Sequence, residues 1–353
     1  MIDGLTASTV APGILAGLVG LGVGILLGVC ARLGNFCTLG ALETAMIGRD
    51  YRRIHIWCVA LGVAILSTHM ADAAGLIAME QTLYNSFVWN PVASIAGGLL
   101  FGYGMALAGN CGFGALIRAG DGDIRSILIV VVLGIATFAT LAGPLGPLRT
   151  LIFPQKEQVG RSGIGEAFSD LTGLDPLVIA AFLGIALIII GLSHPRVRGS
   201  ALTIICAAGV GLSVSLALIG TTEIARHTLG AINVEGPSYS APVGRTILYM
   251  MTSTGMPPSF SVGLIFGTFL GAVTGSLWRR SFRWEACDDP RELGRQLGGA
   301  VMMGVGGVIA MGCTIGQGLT ATAVLAWSGP VTLLAISAGA WVGLQRLLLA
   351  EDI

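Results

Sequence analysis

Gly312-Cys313-Thr314-Ile315-Gly316-Gln317-Gly318 is the stretch that decides how this chain is read. It lies in apolar sequence, but glycine at three of its seven positions argues against an ordinary apolar helix, since each such glycine weakens a helix interior by roughly 0.5–1 kcal/mol. A twin exists in Gly109-Asn110-Cys111-Gly112-Phe113-Gly114. Gly97, Gly102, Gly104 and Ala108 precede the twin, and Gly299, Gly304, Gly306 and Ala310 precede the first stretch, each pair separated by the same offset of 202 that relates Cys111 to Cys313. A fixed offset over that many positions is an internal repeat.

The repeat sits in a chain of 353 residues that is 54% hydrophobic and only 11% charged, with a mean hydropathy of +0.84. That leaves too little polar surface for a soluble domain of this size and identifies an integral membrane protein. The 54 glycines exceed what a leucine-rich bundle needs; small residues let membrane helices approach closely, or break where a pathway passes. Zero formal net charge gives no electrostatic footprint for nucleic acid. No P-loop sequence GxxxxGK[ST] occurs, which argues against direct ATP drive. The seven cysteines form no CxxC pair and no metal-finger spacing. Met1 to Val10 has no basic n-region, so the first apolar run is expected to be a membrane span and not a cleaved signal.

Apolar runs long enough to cross about 30 Å of hydrocarbon begin near Pro12, Ile54, Pro91, Ser126, Pro176, Gly199, Ser259, Gly298 and Pro330, predicting about nine spans. Arginine groups at 49–53, 118–125, 196–198 and 279–295 fall between alternate spans, while Met79 to Asn90 has none. By the positive-inside rule the arginine groups face the cytoplasm, with the N-terminus outside and the C-terminus inside. Arg149, Lys156 and Arg161 fall in a long outer loop, where that rule is weaker. The helix leading to Cys111 then starts outside and the one leading to Cys313 starts inside, so the copies are inverted. One membrane domain over 1–353 is expected: repeat one over about 12–143, a linker and extra span over about 144–198, and repeat two over about 199–349. This 4+1+4 inverted repeat is an arrangement of transporters whose sites lie near the midplane.

The first spans of the two halves match at one place, where Cys37-Thr38-Leu39-Gly40-Ala41 recurs as His227-Thr228-Leu229-Gly230-Ala231. Cys37, Cys111, His227 and Cys313 thus become special positions, each embedded in small or polar residues. Irregular backbone at membrane depth is tolerated only where protein or a cavity surrounds it, so these are expected to be broken or re-entrant segments lining a constriction. Helix N-termini starting there would turn free N–H groups and a positive dipole end toward an anion. A thiol kept neutral by a dry surrounding could donate weakly to that anion without repelling it. Asn110, Thr314 and Gln317 are lesser candidates, as is His227. Cys30, Cys58 and Cys206 lie in ordinary apolar runs and read as packing residues. Cys287, beside Asp288 and Asp289, is assigned no role.

Among the other ionisable groups in apolar sequence, His69 and Asp72 read as a mutually satisfied pair, and Glu43 as an approach to the inner surface. Arg32, Glu223 and Arg226 are candidates by location alone. Trp89, Trp278, Trp284 and Trp327 sit at predicted span ends, as an aromatic belt requires.

Gly34-Asn35-Phe36-Cys37, Ala108-Gly109-Asn110-Cys111, Arg118-Ala119-Gly120-Asp121-Gly122 and Gly312-Cys313-Thr314-Ile315-Gly316-Gln317-Gly318 resemble the YeeE/YedE family of bacterial inner-membrane sulfur-compound transporters, over nearly the whole chain. The resemblance implies an hourglass-like all-α membrane fold, uptake of thiosulfate, and Cys37, Cys111 and Cys313 as thiols that hand the anion along through S–H hydrogen bonds. It also implies a small cytoplasmic TusA-like sulfur carrier as partner, no cofactor and no enzymatic activity. Selenium compounds are a variant substrate. A different class of reading makes Cys37, Cys111, His227 and Cys313 a Cys3His metal site in a metal-binding protein or metal transporter, since those ligand types suit zinc. A membrane thiol oxidoreductase is disfavoured by the missing CxxC.

Overall fold

The computed structural model describes residues 11–156, 163–228, 232–285 and 290–351. Cys287 and Arg161, and Leu229 to Ala231 of the second repeat match, lie outside them, as does Met1 to Val10. Among the described residues every regular element is helical. The first half comprises α1 (Pro12–Gly34), α2 (Thr38–Met46), α3 (Arg52–Ala73), the single turn α4 (Leu83–Ser86), α5 (Pro91–Ala108), α6 (Gly112–Gly120) and α7 (Ile124–Leu141). Next come α8 (Gly146–Ile152), α9 (Ile164–Thr172), α10 (Pro176–Leu192) and the turn α11 (Pro195–Arg198). The second half holds α12 (Ala201–His227), α13 (Ala241–Thr252), α14 (Phe260–Arg279), α15 (Pro290–Ile309), a π-helix (Gly316–Ala321) and α16 (Ser328–Glu351).

Seven helices are long and apolar enough to cross a membrane, and α9 with α10, bent by 115°, makes up to eight, against the about nine predicted. The difference has a local cause: α10 has 17 residues, and α15 carries Arg291, Glu292 and Arg295 in its first turns, which dilutes an otherwise apolar helix. The molecule is thus a multi-pass, all-helical membrane protein. Two spans run through a break, Pro12–Met46 and Pro91–Gly120. Of the two forms the sequence left open, both are broken helices that keep their direction, not re-entrant turns.

Glycine spacing sets the packing. A Cβ on Gly20, Gly24 or Gly28 of α1 would strike the backbone at Phe260, Leu264 or Thr268 of α14, and one on Gly263, Gly267 or Gly271 of α14 would strike Gly17, Leu21 or Ile25 of α1. The two helices therefore run parallel in near backbone contact, as small residues every four positions permit where lipid supplies no hydrophobic drive. Helix α5 packs antiparallel on α15 through Gly97 against Gly306 and Gly104 against Gly299, and parallel on α16 through Gly98, Gly102 and Gly339. Cys30 and Cys206 meet where α1 crosses α12, both buried, which matches a packing role.

Ion pairs stand at both ends: Glu223 with Arg226, and Glu235 with Arg245 at 2.8 Å, at one, and a second group at the other. Arg32 on α1 pairs with Asp121 at 2.6 Å and donates from Nη2 to Ser281 Oγ at 2.7 Å, while Arg125 Nη2 lies 3.7 Å from Glu285. Asp50 accepts the Arg52 N–H at 2.9 Å, a bond that holds its carboxyl below the usual carboxylate range, and Arg196 stands 3.6 Å away. Glu43 is exposed on α2. At the opposite end Trp89 and Trp327 stack at 6.2 Å just ahead of α5 and α16.

Candidate functional site

All three flagged cysteines are built by the same local device. A residue in the left-handed region stands two positions earlier: Asn35 (φ 52), Gly109 (φ 73) and Met311 (φ 57). That conformation stops the incoming helix, because it costs an ordinary residue roughly 1–2 kcal/mol and does not propagate. The chain then turns extended, and the cysteine caps the next helix or turn. Gly40 N–H donates to Cys37 Sγ at 3.4 Å, Gly114 N–H to Cys111 Sγ at 3.3 Å, and Gly316 N–H to Cys313 Sγ at 3.4 Å. Sulfur here takes the N-cap place that oxygen takes elsewhere. The shared pattern Cys-x-x-Gly could have been read from the sequence at all three positions; Gly114 and Gly316 enter through the offset of 202, and Gly40 through the match of Cys37–Ala41 with 227–231.

The capping bond has a chemical consequence. Each sulfur accepts a backbone N–H, so its own S–H is left to donate elsewhere, beside the positive end of a helix or turn. Cys111 and Cys313 are each 1% exposed and Cys37 is half-buried. Cys313 accepts a second N–H, from Tyr239 at 3.2 Å, and has Ser238 Oγ at 3.9 Å.

The three thiols are brought together in an order. Cys111 is within electrostatic range of both Cys37 and Cys313. Thr314, fully buried, has a hydroxyl without a formed hydrogen bond and lies beside Cys111, although it comes directly after Cys313 in sequence. Gln317, 1% exposed, donates to Ala310 O at 2.7 Å and leaves its Oε1 unpartnered. Asn110, 3% exposed, sets its Oδ1 beside Gly114. Beyond Gln317 a partly enclosed cavity is lined by Tyr84, Trp89, Arg149, Gln155 and Met311, with Arg149 Nε buried and unpartnered. Tyr84 stands near Gly316 and Ser238 and within range of Cys313. The order in space is therefore cavity, Cys313, Cys111, Cys37.

His227 is not among them. It ends α12, nearly half exposed, with Nε2 3.0 Å from Glu223 Oε1. Among the described residues no three of His, Cys, Asp and Glu stand together as a metal would need. Arg226, on the same turn, donates to Gly75 O at 2.8 Å, so Glu223 and Arg226 serve local bonding. His69 Nδ1 lies 3.1 Å from Ile65 O one turn back.

Sequence reasoning missed Tyr84, Arg149, Ser238 and Tyr239. The segment before α13 passes between the Cys111 and Cys313 turns: the Tyr239 ring lies 4.8 Å from Phe113, its hydroxyl 2.7 Å from Thr268 Oγ1, and Thr320 Oγ1 donates to Pro237 O at 2.8 Å. The short polar run Gly236-Pro237-Ser238-Tyr239-Ser240 was the available signal, since a buried non-helical segment at membrane depth must be enclosed by protein.

A family model described as "Sulphur transport" matches residues 33–342. The thiosulfate transporter TsuA of Escherichia coli is 29% identical over 345 residues, covering 93% of each chain. The thiosulfate transporter TsuA of Spirochaeta thermophila is 26% identical over 332 residues, covering 91% of this chain and 96% of that one.

Proposed function

Since the chain belongs to the sulphur-transport, or YeeE/YedE, family, we propose that it carries thiosulfate, or a closely similar small sulfur oxyanion, inward across the bacterial inner membrane along a relay of three thiols. The observation that carries this reading is the threefold Cys-x-x-Gly cap, which leaves an S–H free at each of three stations in a row. The curated relatives named for thiosulfate support the choice of anion. A dianion shed of water loses tens of kcal/mol of solvation in a low-dielectric medium unless hydrogen bonds and dipoles replace it. Neutral thiols and backbone N–H groups do this while staying weak enough to let go. Thiol sulfur is also polarizable, which suits it to the terminal sulfur of thiosulfate.

In this mechanism the anion collects in the outer cavity beside Arg149 and passes Tyr84 and Gln317 to Cys313. Thr314 bridges to Cys111, and Cys37 receives the anion on the inner side. No bond to sulfur is made or broken. On the family resemblance alone, a TusA-like carrier takes the product at the arginine-rich inner surface.

The inverted repeat and hourglass form belong to the same proposal, with 12–143 and 199–349 as its halves and α10 as the odd span. What supports it is that the helix pairings survive exchange of the halves. Gly97 against Gly306 becomes Gly299 against Gly104, which is also present, and α1 on α14 becomes α12 on α3, likewise present. Nine spans, with α10 and α15 counted, satisfy the alternating directions that the glycine contacts require. Arg32, Arg125 and Arg196 share an end with the other inner arginines, which supports the cytoplasmic assignment.

The test is uptake of labelled thiosulfate in a strain lacking other importers, with sulfite, sulfate and selenite as competitors. Cys37→Ala, Cys111→Ala and Cys313→Ala are each expected to lose uptake at matched expression. Wild-type uptake in all three would remove the relay, and preferential uptake of selenite would move the substrate.

A further inference from the structure

The inner end of the relay carries a set of donors that no step above uses. Gly40, three residues after Cys37, has an ordinary backbone, so its missing side chain is a matter of space. The space is filled: a Cβ there would overlap Arg53 Nη1, and it would lie 3.6 Å from Cys37 Cβ on its other side. The guanidinium of Arg53 and the side chain of Cys37 thus flank one glycine, the one whose N–H caps the thiol. Arg53 has no hydrogen bond or ion pair among the described residues, although Asp50 lies three positions away and is taken by Arg52 and Arg196.

Two further donors stand beside it. Trp57, one turn along the same face of α3, stacks on Phe36 at 4.6 Å next to Cys37, is 8% exposed, and has no partner for Nε1. Thr38, 6% exposed at the first position of α2, has no partner for its hydroxyl. A buried N–H or hydroxyl without an acceptor is costly to leave unmade, so two buried orphan donors near the Arg53 guanidinium and the α2 N-terminus suit the place to an acceptor.

We propose that Arg53, Trp57, Thr38 and the N-terminus of α2 form an inner anion-holding site adjoining Cys37, specific for a small doubly charged sulfur oxyanion, from which the substrate is released inward. This rests on the thiosulfate reading above and extends it. Neutral thiols conduct the anion but hold it weakly. A planar guanidinium grips two oxygens at once and gives the pathway a sink at its inner end. Gly40 is then a positioning residue, keeping the space that seats the guanidinium beside the thiol.

The experiment compares wild type with Arg53→Gln, Arg53→Lys, Trp57→Phe and Gly40→Ala in two measurements: labelled thiosulfate uptake at matched expression, and thermal stabilisation of the purified protein by thiosulfate, with chloride as control. Arg53→Gln is expected to lower uptake at least tenfold and to lose most of the thiosulfate-induced stabilisation while melting, without anion, at the wild-type temperature. Arg53→Lys restores part of both, and Trp57→Phe, which keeps the stack on Phe36, weakens both several-fold. Gly40→Ala retains the charge but displaces it, and is expected to resemble Arg53→Gln. Wild-type uptake and stabilisation in Arg53→Gln would overturn the inner site and leave the relay standing. A lowered anion-free melting temperature in Arg53→Gln, unrelieved by Arg53→Lys, would reassign Arg53 to structure and also overturn it. If wild type takes up no thiosulfate, the transport reading falls; stabilisation by thiosulfate that Arg53→Gln abolishes would still uphold the site.

Discussion

At the scale of single residues, the unit that occurs three times is a backbone stop, a thiol cap and a glycine donor. The stop is testable without touching a thiol. Nothing lies within 4 Å of a Cβ built on Gly109, whose φ is 73°, so Gly109→Ala costs only left-handed strain, about 1–2 kcal/mol. Its melting temperature in detergent is expected to fall, and Gly109→Asn to fall less, because asparagine tolerates that region; equal stability of all three would show that the break relaxes elsewhere. Met311 occupies the same conformation with a full side chain, so Met311→Gly is expected to melt higher. For the three thiols of the proposed relay the expected pattern is functional and not thermal. Cys→Ser at 37, 111 or 313 keeps shape and a donor but adds a more strongly hydrated group, and should impair uptake with little change in melting, whereas Cys30→Ala, Cys58→Ala, Cys206→Ala and Cys287→Ala keep uptake. Metal analysis of the purified protein is expected to find no stoichiometric zinc. One zinc per chain, lost in His227→Ala, would favour the metal reading instead.

At the scale of elements, the glycine faces decide which helices touch. On α1, Gly24 meets the backbone of α14, while Gly22, two residues away, meets nothing within 4 Å. Gly24→Ala must therefore push the pair apart, and Gly22→Ala adds a methyl group facing outward. Thermal unfolding should separate them clearly: a large loss for Gly24→Ala, and no loss or a gain of about 0.5–1 kcal/mol for Gly22→Ala. Equal effects would mean that the parallel pairing of α1 and α14 is not what holds the half together. The π-helix after Cys313 is the counterpart of α6 after Cys111, and it departs from the repeat. Such wider turns arise where a ladder takes in an extra residue, often at functional sites. Here it accompanies the buried Gln317 and the Thr320 bond that fastens the segment ahead of α13.

At the scale of the whole molecule, the proposed inverted arrangement rests on helix direction and on arginine placement together. Cysteines placed at exposed Gln81 and exposed Trp284 test it with an impermeant thiol reagent in intact cells. Gln81→Cys is expected to label and Trp284→Cys to be protected; the opposite pattern would reverse the orientation and with it the direction of the relay. By itself the sequence determined that this is a membrane protein, that its halves share the Cys111 and Cys313 stretches, and that Cys37, Cys111 and Cys313 differ from the other cysteines. Hydropathy and glycine spacing are local properties written along the chain, and a repeat is visible as an offset. Only the tertiary structure decided that His227 stands with Glu223 and away from the thiols, that Thr314 lies beside Cys111, and that Ser238 and Tyr239 thread between the two breaks. It alone set Arg53 and Trp57 beside Cys37. Each of these depends on the distance between residues far apart in the chain, or on which side of a broken helix a side chain falls, and in a bundle held by backbone-close glycine contacts those distances are fixed by helix packing.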